Sequence, residues 1–94
     1  MPIYKLYCGR SIPASNQVVT ENDFANFLKN QKLFDGFTIY KVEGYWKGDY
    51  EKTFILEIVT NDKDKIIQLV NKYKTAFRQE SVMVIITEDK TEFI

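Results

Sequence analysis

The chain has 94 residues, 45% of them hydrophobic, with 13 basic and 13 acidic side chains and no histidine. That length makes one domain, residues 1–94, and the apolar content with only two prolines and four glycines excludes a disordered chain. Zero formal charge removes the basic footprint with which nucleic-acid binders neutralise phosphate, and it leaves little repulsion between copies.

The residues from Ile3 to Cys8, IYKLYC, are strand formers with alternating side-chain direction and predict a first strand ended by Gly9. Cys8 is the only cysteine, so no intramolecular disulfide can form. With no histidine to activate it, it reads as a small core residue. The same absence removes the commonest metal ligand and the usual acid–base group near neutrality, and no cofactor is expected. The opening MPIYKLYCGRS has no basic region followed by an apolar run, so no export leader is expected. No apolar run approaches the roughly 18 residues of a membrane helix. A cytoplasmic protein with neither membrane nor nucleic-acid partners is the expectation.

GRSIPASNQVV is loop chemistry. Thr20 then caps a helix, with Asp23 completing a near capping box. Phe24, Phe27, Leu28 and Gln31 fall on one face, and Gly36 is expected to end the segment. A second strand is predicted over 37–46 and a third over 53–60. Gly44 within the first of them marks a bulge or a close backbone approach, and Gly48 and Asp49 suit a turn. Asn61 or Asp62 caps a second helix running to Phe77, with Ile66, Leu69, Val70, Tyr73 and Phe77 on one face. The last strand is predicted over 81–87, and residues 91–94 offer a further edge strand.

The order β-α-β-β-α-β predicts an α+β, ferredoxin-like βαββαβ fold: a four-stranded antiparallel sheet with two helices on one face. Its other face is the informative one. Phe54, Leu56 and Ile58 point one way, yet Ile55 and Val59 point the other, with Glu57 between them. Val82, Val84 and Ile86 likewise oppose Met83 and Ile85. A solvated face should be polar. An apolar one left in water is a sticky patch, so it is expected to be buried against further copies, as a dimer or a trimer. The competing expectation is a tail folded over that face.

Two resemblances follow. The run Gly36-Phe37-Thr38-Ile39, then Val42 and Gly44-Tyr45, with LEIVTNDKDKIIQLVNKY, resembles the PII-type signalling proteins over about residues 34–73. That resemblance implies a trimer with ligands in clefts between subunits. The long loop of those proteins is reduced here to KGDYEKT. Their glycine- and lysine-rich phosphate-holding turn is replaced by FRQESV, with no glycine to let backbone amides approach phosphate. Over about residues 8–84, CGRS, FDGFT, GYWKG, Tyr73 and FRQESV resemble a family of small bacterial proteins of unknown function, which implies no activity.

The candidate ligand-binding residues are Arg10, Trp46, Lys47, Gln79 and Glu80. Arg10 at a strand end suits a two-toothed grip on a carboxylate or phosphate, against the plainer alternative of an ion pair with Glu80. Gln79, Glu80 and Ser81 lead into the last strand, where they line a cleft or cap the helix. Trp46 suits stacking on a planar ligand, or it anchors an interface together with Tyr45, Ile55 and Val59. Glu57, a carboxylate in an apolar strand, suits acid–base work if buried, and more commonly a paired structural role. No catalytic residue is assigned. The leading functional expectation is a non-enzymatic, oligomeric ligand-binding or regulatory module of PII-like build, taking a small anionic metabolite. The alternative is a small dimeric α+β barrel enzyme with a closed pocket inside each subunit, faced by Glu57 or Tyr7. An RNA-recognition domain shares the topology, but EKTFILEIV lacks its basic-Gly-aromatic signature.

Overall fold

A computed structural model of the chain describes residues 1–88 and 92–94, with the side chain of Trp46 outside the described part. The elements run β1 (Ile3–Gly9), α1 (Glu21–Gln31), β2 (Thr38–Trp46), β3 (Asp49–Val59), α2 (Lys63–Phe77) and β4 (Met83–Thr87). The architecture is α+β. All strand pairs are antiparallel, in the order β2-β3-β1-β4.

Both helices start where their sequence says they should. The Thr20 hydroxyl accepts from the Asp23 amide while the Asp23 carboxylate accepts from the Thr20 amide, closing a capping box on two otherwise orphaned donors. Asp62, rather than Asn61, caps α2 by accepting from the Lys65 amide. The first helix ends earlier than expected, at Gln31, where Lys32 turns left-handed (φ 49°). The chain reverses there so that Leu33 and Phe34 can pack against the core, well before Gly36.

The β2–β3 hairpin is longer than expected. The segment read as a loop, KGDYEKT, is mostly strand, and only Lys47 (φ 49°) and Gly48 (φ 88°) form the turn. Two central residues at positive φ make a type I′ turn, whose twist matches that of the flanking strands. The register runs unbroken from Thr38 opposite Glu57 to Trp46 opposite Asp49, so Gly44 is not a bulge. β4 starts two residues late, at Met83, and residues 92–94 add no strand.

Tyr4, Leu6 and Cys8 of β1 lie opposite Ile58, Leu56 and Phe54 of β3. All six are buried in one cluster with Phe24, Phe27 and Leu28 of α1 and Ile66, Leu69 and Tyr73 of α2. Both helices therefore cover the same face of the sheet. Tyr73 sits at the centre, edge-on to Phe24 and Phe27, and its hydroxyl donates to the Gly9 carbonyl at 2.6 Å. Burial keeps the Tyr73 phenol neutral far above its ordinary range. No helix among the described residues is long and apolar enough to cross a membrane.

Cys8 is buried in this core, and burial pushes its thiol up from 9.0 to about 12. A thiol-reactive disulfide reagent at pH 8 is therefore expected to leave the native chain unlabelled and to label it at once in denaturant. The linked stability has a definite sign. The folded state holds this proton more tightly than the unfolded one, so the contribution is complete below about pH 9 and is lost as pH rises toward 12.

Candidate functional site

Side chains alternate across the sheet, so the face away from the helices can be read from the register. One row crosses all four strands as Tyr40, Ile55, Tyr7 and Met83. The next crosses as Thr38, Glu57, Lys5 and Ile85, and Val59 and Ile3 follow with Thr87. Apolar side chains dominate this face and nothing on it is capped by a helix. Met83 is 57% exposed and Ile85 42%. The described end of the tail does not cover it, since Phe93 is 80% exposed. Glu57 is half-buried and pairs with Lys5 at 3.9 Å within the sheet, which gives it a structural partner. Ile55 and Val59 both lie on this face, where the alternation expects them.

At the far end of the same face the sheet is bordered by a groove of about 730 Å³. Tyr7, Gly9, Thr53 and Met83 form its floor. The loop 11–15 makes one wall, and Gln79, Glu80 and Ser81 stand at a second. Gly44, Tyr45 and Glu51 close it from the hairpin. The loop is held in shape by the Ile12 amide donating to the Gln17 carbonyl and by a bridge between Ser11 and Val18.

Gln79 is the residue that ties the groove together. Its Nε2 donates to the Ser11 carbonyl at 2.9 Å and to the Phe77 carbonyl at 3.0 Å. Two carbonyl acceptors fix the amide orientation, because an oxygen in that place would face two oxygens. Its Oε1 is thereby turned over Gly9. A side chain at Gly9 would bring a Cβ to 3.0 Å from that oxygen and to 3.6 Å from Glu51 Oε1. Gly9 thus permits a close approach of polar oxygens to the strand backbone. Of the two expectations for these residues, cleft lining and helix capping, Gln79 meets both positions: it lines the groove with Glu80 and bonds the last carbonyl of α2.

Arg10 is not with them. It follows β1 on the helix side of the sheet and is 7% exposed. Its guanidinium lies 4.2 Å from the centre of the Phe54 ring, and its Nε donates to the Val19 carbonyl at 2.9 Å. The expected partner Glu80 is replaced by backbone and ring, because a residue after Cys8 on the same side of the strand must face the core. Its charge still helps to lower the Glu21 carboxyl, chiefly held down by a hydrogen bond from Lys41. Replacing Arg10 with methionine is expected to cost about 1.5–3 kcal/mol of stability, the worth of a charged hydrogen bond, while leaving the groove unchanged. Chemical denaturation checks the first part and amide shifts of residues 79–81 the second.

The hairpin tip divides. Tyr45 packs edge-on against Tyr50 at 5.2 Å, both strongly exposed. Lys47 lies in the turn and does not line the groove. The Trp46 side chain, proposed for stacking and for an interface, is outside the described part. Thr53 and Glu51 were not singled out from the sequence. The available signal was Gly9, a strand-end glycine directly opposite Thr53.

The space between helices and sheet is filled by Leu6, Phe24, Leu56, Leu69 and their neighbours, with no room for a water molecule. Among the described residues no cluster of three potential metal ligands occurs. The family model that fits this chain spans residues 4–93 and is described as a protein of unknown function (DUF3574). No curated protein matches the chain.

Proposed function

The chain belongs to the DUF3574 family, whose function is not known, and we propose that it is a small homo-oligomeric ligand-binding module of ferredoxin-like, PII-like build. The βαββαβ order with both helices on one face supports the ferredoxin-like assignment. The observation that carries the reading is the uncapped apolar sheet face running directly into a polar-walled groove. A second copy on that face would bury Tyr40, Ile55, Ile85 and Val59 and leave the groove at the rim of the contact, where ligands of PII-like proteins are held. Near-zero net charge favours such an association.

The barrel-enzyme alternative has less support. It calls for a closed pocket inside the subunit with Glu57 or Tyr7 facing it, whereas both residues lie on the outer face and the interior is packed. Light scattering on a sizing column tests the proposal. A mass two or three times that of the chain is expected, and a monomer at micromolar concentration overturns the self-association.

A further inference from the structure

The open sheet face carries its own complement. Among the described residues, the rows that cross the four-stranded part of this face contain two charges, Lys5 and Glu57. They stand directly opposite each other on β1 and β3, the two inner strands, and so mark the middle of the face. Their charged ends are 3.9 Å apart, with the side chains still 42% and 26% exposed. Apolar pairs flank them along the strands, Tyr7 with Ile55 on one side and Ile3 with Val59 on the other.

A pair this exposed is worth little to the subunit. It matters once the face is covered, because both charges then lose water. A purely apolar cover would take that water away and return nothing to either ion, which is costly. A second copy returns an opposite charge to each, provided that it is turned correctly. A two-fold axis in the plane of contact, running along the strands between β1 and β3, exchanges the places of those strands. Lys5 then lies over the partner's Glu57 and Glu57 over the partner's Lys5, a square of alternating sign. The same rotation sets Tyr7 over the partner's Ile55 and Ile3 over the partner's Val59, apolar on apolar. The order β2-β3-β1-β4 is symmetric about that axis, so β4 meets the partner's β2 and the whole face is covered. An axis across the strands would instead set Lys5 over the partner's Lys5, and like charges brought together are penalised.

On the self-association proposed above, we infer that the contact is a closed two-fold, sheet face on sheet face, in which each Lys5 pairs with the partner's Glu57. A patch that is its own complement closes after two copies, and no apolar face is left for a third. Both grooves lie at the Gly9–Thr53 end of the sheet. An axis along the strands brings them together at one end of the dimer.

The test is light scattering on a sizing column, with the whole chain and its charge-reversed variants. The parent is expected at twice the mass of the chain. Lys5→Glu and Glu57→Lys, each alone, gather like charges at the centre of the contact and are expected to run as monomers, with Kd raised at least about a hundredfold. Mixed one to one, they are expected to form a dimer holding one of each. A single reversal also sets like charges side by side within its own sheet, which weakens folding. The double variant Lys5→Glu/Glu57→Lys keeps an opposite pair in every chain and is expected to dimerise with itself. A monomeric parent overturns the self-association itself. A trimeric parent keeps the self-association and overturns the two-fold. Single reversals that hold the parent's mass, or a double variant that stays monomeric, keep the self-association and overturn the contact between Lys5 and the partner's Glu57.

Discussion

Replacing Phe54 with alanine is expected to remove most of the stability of the chain. Phe54 is buried at the centre of the sheet and stacks on Phe24 with ring centres 4.5 Å apart. The Arg10 guanidinium lies over the ring as well. Truncating a buried phenylalanine costs about 3–5 kcal/mol, and the lost stacking and cation–π contacts add about 0.5–2 kcal/mol more. The total stability of a domain is about 5–15 kcal/mol, and a chain this short belongs near the lower end. The variant should be mostly unfolded or lose most of its urea midpoint. Far-ultraviolet circular dichroism against urea reads this directly, with Phe54→Leu as the milder comparison. A loss below about 1 kcal/mol would mean that the stack of Arg10, Phe54 and Phe24 is not the keystone described here.

Ile85→Glu is expected to do the opposite: dissolve the proposed oligomer and spare the subunit. Ile85 is 42% exposed on the open face and lies directly opposite Lys5 in the sheet. A glutamate there meets a lysine within its own chain, a favourable cross-strand pair worth about 0.2–1 kcal/mol. In an apolar contact between copies the same carboxylate is desolvated, at a cost of several kcal/mol per ion. Thermal unfolding of the dilute variant should match the parent, while light scattering shows a shift to monomer. If the variant keeps the oligomeric mass, the sheet face is not where the copies meet. Ile85→Leu should leave both readouts where they were.

The backbone architecture was legible because its signals are local and redundant. Thr20 and Asp23 announce a helix start, and the double apolar content of ILEIV and VMVII announces a sheet with two hydrophobic faces. Boundaries were less legible where the decisive force is tertiary. Nothing near Lys32 in sequence says that Leu33 and Phe34 must turn back to the core. The hairpin was cut short because Asp49 to Lys52 are polar, yet a type I′ turn at Lys47-Gly48 forces those residues into register. Gln79 and Glu80, which line the groove, stand out in the sequence as polar residues between two apolar segments. Arg10 was placed in the wrong company. Its type suggested an anion, whereas the even-numbered parity shared with Leu6 and Cys8 sends its side chain to the core. Thr53 could be recognised only once its place opposite Gly9, at the groove, was seen.

The position of β1 has a consequence for how the chain reaches this state. β1 is an inner strand, with Ile3 opposite both Val59 and Thr87. The β2–β3 hairpin can close on its own through a two-residue turn, but β1 must wait for partners at the other end of the sequence. Such non-local pairing slows folding, because the entropy of closing long loops is lost before the contacts are gained. On the ribosome β1 emerges first and finds its β4 neighbour last. Until then the edge of β1 that pairs with β4 is open to other chains. Refolding slower than in helical proteins of this length, and dependent on protein concentration, is the behaviour this topology dictates.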